Sequence, residues 1–405
     1  MTITAGEIDL FDPVHVEDPY ALYRHLRDTS PVHRVRGTDF HLVSNWDLVH
    51  DAVTRPEDFS SRLHAVMLEN PGGAPLTLEM DGAGTIEQVL ATADDPIHKA
   101  HRGFVMNTLG KRIRALDTAV AACAEDLWTR YAVHGEIDWA DAMADRLPLA
   151  MVATLLGLPA GDVPQLLSWA YDSTELLGGV VAAGRIDALV TASFELHTYL
   201  DEKFTHAQTD PGDDLMGILA TACRDGELAA STAVLMLLQI VGAGGESTAG
   251  LVSTAARLLA TRPDLQTQLR ADPTLVDPFL DECLRLESPF RGHYRHVPVE
   301  TTLGDTVLPA GGHLLLLWGS ANRDPSRFPL PDRLDLARPG IRQHLAFGKG
   351  THFCVGSALA RMEATAAIRA LLENTRHVEL TGPDAARWVP SIFVRRHATL
   401  RLAFD

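Results

Sequence analysis

Most of the chain has the apolar periodicity of helices rather than the alternation of strands. Apolar residues recur every three or four positions through residues 115–225, and the longest such pattern covers residues 227–261. Alternating apolar and polar residues in two short regions, 32–43 and 388–402, predict two hairpins. We therefore expect a mainly α fold with a small β region. Because no linker or internal repeat divides the pattern, residues 1–405 are predicted to form a single domain.

Two irregular segments interrupt the helical pattern. Residues 63–92 are irregular and contain the runs Pro-Gly-Gly and Asp-Gly-Ala-Gly, which predict a long loop. Residues 178–184, Gly-Gly-Val-Val-Ala-Ala-Gly, predict a mobile connection between two helices. Long loops in compact domains often carry function, so the first segment is a candidate functional loop.

The middle of the 227–261 pattern contains three glycines, followed by Glu246, Ser247 and Thr248. Each glycine inside a helix costs about 0.5–1 kcal/mol relative to alanine, so their concentration predicts a kink or a close approach to a ligand. Contact between helices through small residues is the alternative. A carboxylate beside two hydroxyls is suited to relaying protons into an apolar pocket, which favours the ligand.

Residues 347–356 form a glycine-punctuated loop that carries one cysteine, Cys354. The alanine- and leucine-rich run that follows predicts a helix, so Cys354 would lie at a helix N-terminus. Unpaired backbone N–H groups and the helix dipole favour a thiolate there. A thiolate in a dry, aromatic-shielded loop can ligate haem iron. The alternative is a buried structural cysteine in a helix-start turn.

Charge and cysteine usage exclude several classes of partner. The net charge of −18 argues against nucleic acid or an anionic membrane as the main partner. The four cysteines are widely scattered without a Cys-x-x-Cys pair, which is typical of a reducing compartment. The first twenty residues are polar and acidic, and contain no apolar run long enough for a signal peptide or a membrane span. We expect a cytoplasmic protein that binds neither nucleic acid nor a membrane.

Four motifs in order make the chain resemble the cytochrome P450 family. Residues 347–356 resemble its haem-binding signature F-x-x-G-x-H/R-x-C-x-G at every fixed position. Residues 243–247 resemble the oxygen-activating motif A-G-x-D/E-T, with serine in place of threonine. Residues 98–102 resemble the H-x-x-x-R pair that binds a haem propionate, and residues 282–285 resemble E-x-x-R.

The resemblance implies a soluble bacterial haem-thiolate monooxygenase with the cytochrome P450 fold. Haem b would lie between the long distal helix and the proximal Cys354 loop. The enzyme would insert one oxygen atom from O₂ into a small organic substrate. Electrons would come from a separate ferredoxin and its reductase. Residues 63–92 would cover the substrate pocket, and residues 178–184 would belong to a lid that opens for substrate.

The resemblance also implies roles for individual residues. The iron ligand would be Cys354. The other haem-binding residues would be His98, Arg102, Ala243, Gly244, Arg295, Phe347, Gly348, His352 and Gly356. The residues of proton delivery would be Glu246, Ser247 and Thr248. The substrate pocket would be lined by Val241, Phe290, Arg291, His293, Ile392 and Phe393. The structural pair would be Glu282 and Arg285, completed by Arg333 or Arg338. The cations that dock the ferredoxin would be Lys111, Arg112, Lys349 and Arg361.

Two alternatives remain open from the sequence. The serine at position 247 leaves room for an oxidase of the same fold that performs phenol coupling, desaturation or peroxide-driven oxidation. A haem-binding sensor or carrier without turnover belongs to a different class, and Glu246 beside a hydroxyl counts against it. The substrate is not encoded in these motifs, because a fold does not specify its ligand.

Overall fold

One buried helix, α9 (Ala230–Thr261), runs through the largest apolar core of the protein. The computed structural model describes residues 8–405 apart from 83, 85 and 183. By length and composition α9 is long and apolar enough to cross a membrane, but 61% of its apolar window is buried inside the protein. That burial is the behaviour expected of a core helix in a folded domain.

The other elements surround α9. In the described residues the remaining α-helices are α1 (Pro13–Glu17), α2 (Tyr20–Thr29), α3 (Trp46–Thr54), α4 (Ile97–Tyr131), α5 (Arg146–Leu156), α6 (Val163–Gly178), α7 (Ile186–Thr209), α8 (Leu215–Arg224), α10 (Pro263–Ala271), α11 (Val276–Leu286), α12 (Trp318–Ala321) and α13 (Ser357–Glu373). The strands are β1 (Val32–Arg34), β2 (Phe40–Val43), β3 (Ala65–Leu68), β4 (Leu76–Glu79), β5 (Glu136–Asp138), β6 (His293–His296), β7 (Thr301–Leu303), β8 (Thr306–Leu308), β9 (His313–Leu316), β10 (Val378–Leu380), β11 (Ala386–Trp388) and β12 (His397–Phe404). The mainly α fold with a small β region is confirmed.

The two larger sheets have four strands each, one of them mixed and the other antiparallel throughout. One has the order β1-β2-β9-β6, in which β2 and β9 are parallel and the other neighbours are antiparallel. The other has the order β10-β12-β11, and β5 also pairs with β12. Both predicted hairpins are present, as β1–β2 and β11–β12. Alternation along β6 places His293 and Arg295 on one face of the first sheet.

Two sequence expectations about element boundaries were wrong. The longest described helix is α4 with 35 residues, whereas α9 has 32 and begins at Ala230. Polar and apolar residues are mixed around all sides of α4, so it has no clear apolar stripe. Residues 63–92, predicted to be an irregular loop, contain the antiparallel pair β3–β4. Strand β3 reads Ala-Val-Met-Leu and is buried at all four positions, so it lacks the alternation of apolar and polar residues by which a strand is recognised from sequence.

Two glycines of α9 permit close contact with a neighbouring helix, and α9 is continuous from Ala230 to Thr261. A Cβ atom added at Gly245 would lie 1.9 Å from Leu149 Cδ2, and one at Gly244 would lie 2.6 Å from Val152 Cγ2. Both neighbours belong to α5. The small residues therefore let α5 and α9 approach closely, which is the alternative weighed above.

A buried ion-pair cluster ties α11 to the segment that precedes the Cys354 loop. Arg285 Nε donates to Glu282 Oε1 at 2.7 Å, and Arg338 Nε donates to the same oxygen at 2.9 Å. Arg285 also donates to the backbone oxygens of Asn322, Pro331 and Arg333. Arg338 is therefore the third member. The side chain of Arg333 is outside the cluster, to which it contributes only its carbonyl.

Replacing Arg338 by alanine should lower the free energy of unfolding by roughly 3–5 kcal/mol, because the Glu282 carboxylate loses one of its two buried cations. Arg333→Ala is the matched control. Since the exposed side chain of Arg333 makes no ion pair in the described structure, the change should stay within about 0.5 kcal/mol. Equilibrium urea unfolding of the two variants measures both values. Equal destabilisation by both would contradict the assignment of Arg338.

Candidate active site

A large cavity lies between α9 and the loop that carries Cys354. Its empty volume is about 1610 Å³, counted with its opening to solvent. Its wall is mainly apolar, with aliphatic side chains from α4, α5 and α9 that include Val105, Leu109, Val152, Leu155 and Leu251.

Cys354 borders this cavity just before α13 begins. Its backbone N–H donates to the Phe347 carbonyl at 2.9 Å, which closes the loop. Burial raises the pKa of the Cys354 thiol, and this outweighs the opposing effects of the Gly356 N–H and of Arg102. The thiolate expected from the helix N-terminus is therefore not favoured for the free sulfur. A bound metal ion would remove the proton, since a coordinating thiol is deprotonated outright.

Two glycines shape the Cys354 loop. Gly348 and Gly350 have φ angles of +66° and +71°, a region that side chains rarely adopt. A Cβ atom at Gly350 would also lie 2.8 Å from the carbonyl oxygen of Val53. Phe347 borders the cavity, and the Arg361 guanidinium lies 4.6 Å from its ring centroid. The loop conformation thus depends on glycine at both positions.

Four basic side chains from three separate elements meet at the edge of the cavity. They are His98 and Arg102 of α4, Arg295 of β6 and His352 of the Cys354 loop. The rings of His98 and His352 are in contact, with centroids 3.9 Å apart and planes tilted by 30°. Burial, together with Arg295 and His98, lowers the pKa of His352 to about 3. Burial lowers the pKa of Arg295 to about 10.

Two of these side chains, Arg102 and Arg295, lack an anionic partner among the described residues, whereas His98 Nδ1 lies 3.1 Å from Asp95 Oδ1. In the described part of the chain neither Arg102 nor Arg295 forms an ion pair, and Arg295 donates only to the Tyr294 carbonyl at 2.8 Å. A buried guanidinium without a carboxylate is costly, so the cluster fits a ligand that carries carboxylates. One thiol, an apolar cavity and unpaired cations together form a donor set that suits an iron porphyrin with its two propionates.

The opposite wall of the cavity is formed by α9. Ala243, Gly244, Ser247 and Thr248 all border the cavity, as expected for residues that share one helix face. Ser247 Oγ donates to the Ala243 carbonyl at 3.0 Å. The hydroxyl of Thr248 has no hydrogen-bond partner among the described residues, so it remains available to a ligand or a water molecule.

Glu246 does not border the cavity, although it is adjacent to Ser247 in sequence. Its Oε2 accepts from Thr174 Oγ1 at 2.6 Å, and its Oε1 accepts from Arg396 Nε at 2.8 Å. Successive residues of a helix are rotated by about 100°, so a face that presents 247 and 248 turns 246 aside. Sequence reasoning missed Arg396 and Thr174, because they lie 150 and 72 residues away.

Two predicted pocket residues, Phe290 and His293, border the cavity. Burial and Arg295 lower the pKa of His293 to about 4, so its ring is neutral near pH 7. Its Nδ1 lies 2.6 Å from the Gly292 carbonyl. Phe393 stacks on the ring of His293 at 5.4 Å and supports it from behind.

The other predicted pocket residues lie outside the cavity lining. Ile392 and Phe393 belong to a separate apolar core, and Val241 is fully buried beside other core residues. Arg291 is buried and donates to the Val16 carbonyl. Strand alternation would have placed Arg291 with His293, but β6 begins only at His293. None of these four residues borders the cavity in the described structure.

Sequence reasoning also missed residues that the structure brings to the cavity. They are Leu90, Ala91, Gln239, Trp318 and Glu363, among others. The only available signal was the irregular segment 63–92, which contains Leu90. The position of Gln239 on an apolar helix carries no local signal, because a single polar residue there reads equally well as a surface position.

Comparison with known proteins agrees with this site. A family model described as cytochrome P450 matches residues 197–385. Cytochrome P450 144 of Mycobacterium tuberculosis is 48% identical over 404 residues, covering 100% of this chain and 93% of that protein. The 6-deoxyerythronolide B hydroxylase of Saccharopolyspora erythraea is 31% identical over 402 residues, covering 96% and 97%. The crystal structure of CalO2 superposes with a TM-score of 0.86 at 27% identity, covering 98% of both chains.

The chain belongs to the cytochrome P450 family. The fold is that of the family, and the cofactor of the family is haem b, an iron protoporphyrin IX. Relatives named as hydroxylases and monooxygenases make the protein an oxidoreductase of the monooxygenase type.

Replacing Arg295 by methionine should affect the haem-loaded and haem-free proteins in opposite directions. Without haem the variant should be at least as stable as the wild type, because a buried unpaired charge is removed. With haem it should lose the cofactor roughly 10- to 150-fold faster, since a charged hydrogen bond contributes about 1.5–3 kcal/mol. Haem transfer to apomyoglobin and urea unfolding measure the two effects.

The matched control is Arg291→Met, which removes a buried arginine four residues earlier that lies outside the cavity. Its haem transfer rate should equal that of the wild type. If Arg295→Met and Arg291→Met retain haem equally well, Arg295 does not bind a propionate.

Proposed function

We propose that this protein inserts one oxygen atom from O₂ into a small, mainly apolar organic molecule held in the cavity beside α9. The observation that carries the proposal is the arrangement of three features around one cavity: the Cys354 sulfur on one side, unpaired cations at the edge and the hydroxyl-bearing face of α9 opposite. When bound, haem b supplies the oxygen chemistry, while the protein supplies orientation, electrostatics and exclusion of water.

The residues at the cavity have separate tasks in this proposal. Cys354 would supply the sulfur that binds the iron, and Phe347, Gly348 and Gly356 would shape the loop that carries it. The carboxylates of the porphyrin would be held by His98, Arg102, Arg295 and His352. Ala243 and Gly244 of α9 would border the haem from the wall opposite Cys354. The aliphatic wall and the neutral ring of His293 favour an organic substrate with little charge.

Proton delivery would depend on α9. Thr248 Oγ1 offers an uncommitted hydroxyl at the cavity, where it can hold a water molecule and pass on its proton. Ser247 Oγ is already hydrogen-bonded to Ala243. Glu246 would connect to these hydroxyls only when its carboxylate leaves Arg396 and Thr174. Those two residues therefore hold the carboxylate away from the cavity until it is needed for proton transfer.

Electrons would come from a separate ferredoxin and its reductase, which would dock on the Cys354 side. A shallow second pocket of about 620 Å³ on this side is lined by Arg342, Phe353 and Arg361. Arg342 and Arg361 share the single carboxylate of Asp281, which leaves the pocket with net positive charge. Attraction of an acidic partner to such a surface weakens with salt, which a salt titration of the reduction rate measures.

The cations that the sequence suggested for docking differ in availability. Arg112 pairs with Asp213 at 2.6 Å, and the Lys349 ammonium lies 5.5 Å from the Trp46 ring centroid. Lys111 is exposed and forms no ion pair in the described structure. We infer a cytoplasmic location, where a ferredoxin and reduced thiols are both available.

The function is tested by the reduced carbonyl spectrum and by isotope incorporation. The wild type should give the spectrum of thiolate-ligated haem, Cys354→Ser should lose it, and Cys223→Ser, a matched cysteine outside the cavity, should keep it. Turnover under ¹⁸O₂ of any compound that displaces the iron-bound water should place one labelled atom in the product. A product without label would instead indicate coupling or desaturation.

Thr248→Val should release hydrogen peroxide in place of product at least as strongly as Ser247→Ala. The reason is that the Ser247 hydroxyl already donates a hydrogen bond to the Ala243 carbonyl, whereas the Thr248 hydroxyl has no such partner among the described residues. The measurement is the ratio of peroxide formed to NAD(P)H consumed, with a surrogate ferredoxin and reductase and a bound ligand. If Ser247→Ala alone raises this ratio and Thr248→Val leaves it unchanged, the relay runs through Ser247.

A further inference from the structure

A short 3₁₀ turn, Leu90–Thr92, lies across one side of the cavity and is held there by a side chain of α9. We call this turn the strap. The backbone N–H of Ala91 donates to Gln239 Oε1 at 2.9 Å, and Gln239 Nε2 donates to Thr92 Oγ1 at 3.1 Å. The side-chain amide of Gln239 therefore binds two consecutive residues of the strap, Ala91 and Thr92.

Further hydrogen bonds, within the strap and to α4, restrict its conformation. Thr92 Oγ1 donates to the Val89 carbonyl at 3.0 Å, and the Val89 N–H donates back to the same hydroxyl at 3.3 Å. The Leu90 N–H donates to His101 Nδ1 of α4 at 3.4 Å. Burial lowers the pKa of His101, which keeps its ring neutral and able to accept. The strap is thus bonded to both helices that flank it.

Leu90 has a φ angle of +41°, which is uncommon for a residue with a side chain. Such a conformation persists only where the surroundings enforce it, and it is often found at ligand clamps. Leu90, Ala91 and Gln239 all border the cavity. The strained Leu90, the Ala91 backbone and the Gln239 amide that binds it therefore line the same part of the cavity wall.

A second bond from α9 supports the approach to the strap. Thr232 Oγ1 donates to Glu87 Oε1 at 2.7 Å. Thr232 and Gln239 are seven residues apart, about two turns, and so lie on the same face of α9. Two points of attachment along one helix face define the path of residues 87–92 next to the cavity.

We propose that Gln239 is a positioning residue that holds the strap over the cavity and thereby limits the size of the ligand that enters. Both polar ends of the Gln239 amide are engaged with the strap, so its first task is to hold the chain rather than to bind a ligand. The part concerning ligands rests on the proposed function, while the attachment of the strap stands without it. Loss of the amide frees the Ala91 N–H, and Leu90 relaxes away from the cavity.

The attachment is tested by hydrogen exchange of the haem-loaded protein without ligand, followed by mass spectrometry of peptides that span residues 87–93. In Gln239→Leu the Ala91 amide should exchange up to about tenfold faster, because its one hydrogen bond is lost. Gln239→Glu keeps an acceptor of the same shape and should restore slow exchange. Thr254→Val removes a buried α9 hydroxyl that has no partner among the described residues, and should change nothing in this segment.

The effect on ligands is tested with two azole probes of different size, imidazole and clotrimazole, which report binding through the Soret shift. Gln239→Leu should raise the association and dissociation rates of clotrimazole, with little change for imidazole. Thr232→Val should shift the rates in the same direction by a smaller factor. Equal rates in the wild type and in Gln239→Leu for both probes would overturn the gating role.

The attachment of the strap and its effect on ligands can each be refuted without the other. Unchanged exchange at Ala91 in Gln239→Leu overturns the strap, whatever the azoles do. If no azole shifts the Soret band in the wild type, the haem site of the proposed function fails, while the exchange result still decides the attachment of the strap.

Discussion

The position of the cysteine loop depends on the acidic face of one short helix, α11. Glu282 binds Arg285 and Arg338 and accepts the N–H of Asp335, so it holds the chain before the loop. Its neighbour Asp281 binds His344 and Arg361, which lie on either side of Cys354 in sequence. Burial alone would raise the pKa of Asp281, but His344 and Arg361 lower it to about 2, so the carboxylate stays charged. Two adjacent carboxylates thus fix the sulfur relative to the core.

The buried arginines differ in whether a carboxylate pairs with them. Arg285 and Arg338 share Glu282, and Arg395 binds Glu287 at 2.8 Å. Arg291 and Arg295 are also buried but have no carboxylate in the described structure, and of these two only Arg295 borders the cavity. Burying a charge without a partner is unfavourable, so an anionic ligand in the cavity would offset that cost at Arg295. The acidic chain therefore keeps a small region of unbalanced positive charge at the edge of the cavity beside α9.

Helix α9 shows how one segment combines packing and chemistry. Its glycines let α5 approach, which places the aliphatic wall of the cavity against the helix. The same approach fixes the rotation of α9, so that Ser247 and Thr248 face the cavity and Glu246 faces Arg396. The two turns before them carry Gln239, which holds the strap. Substitutions that alter the rotation of this helix would affect the wall, the acid and the strap together.

Features encoded within a few residues could be predicted from the sequence. The Cys354 loop, the pair His98 and Arg102, and the pair Glu282 and Arg285 depend on spacing along one turn or one helix, which local geometry fixes. Other features depend on how distant segments pack. They are the pairing of Glu282 with Arg338 and not Arg333, the partners of Glu246, and the hydrogen bonds of Gln239 to the strap. Local periodicity contains no information on those distances. For the same reason, the sequence placed Arg291 and Phe393 in the pocket, whereas packing against the N-terminal and C-terminal segments turned both away from it.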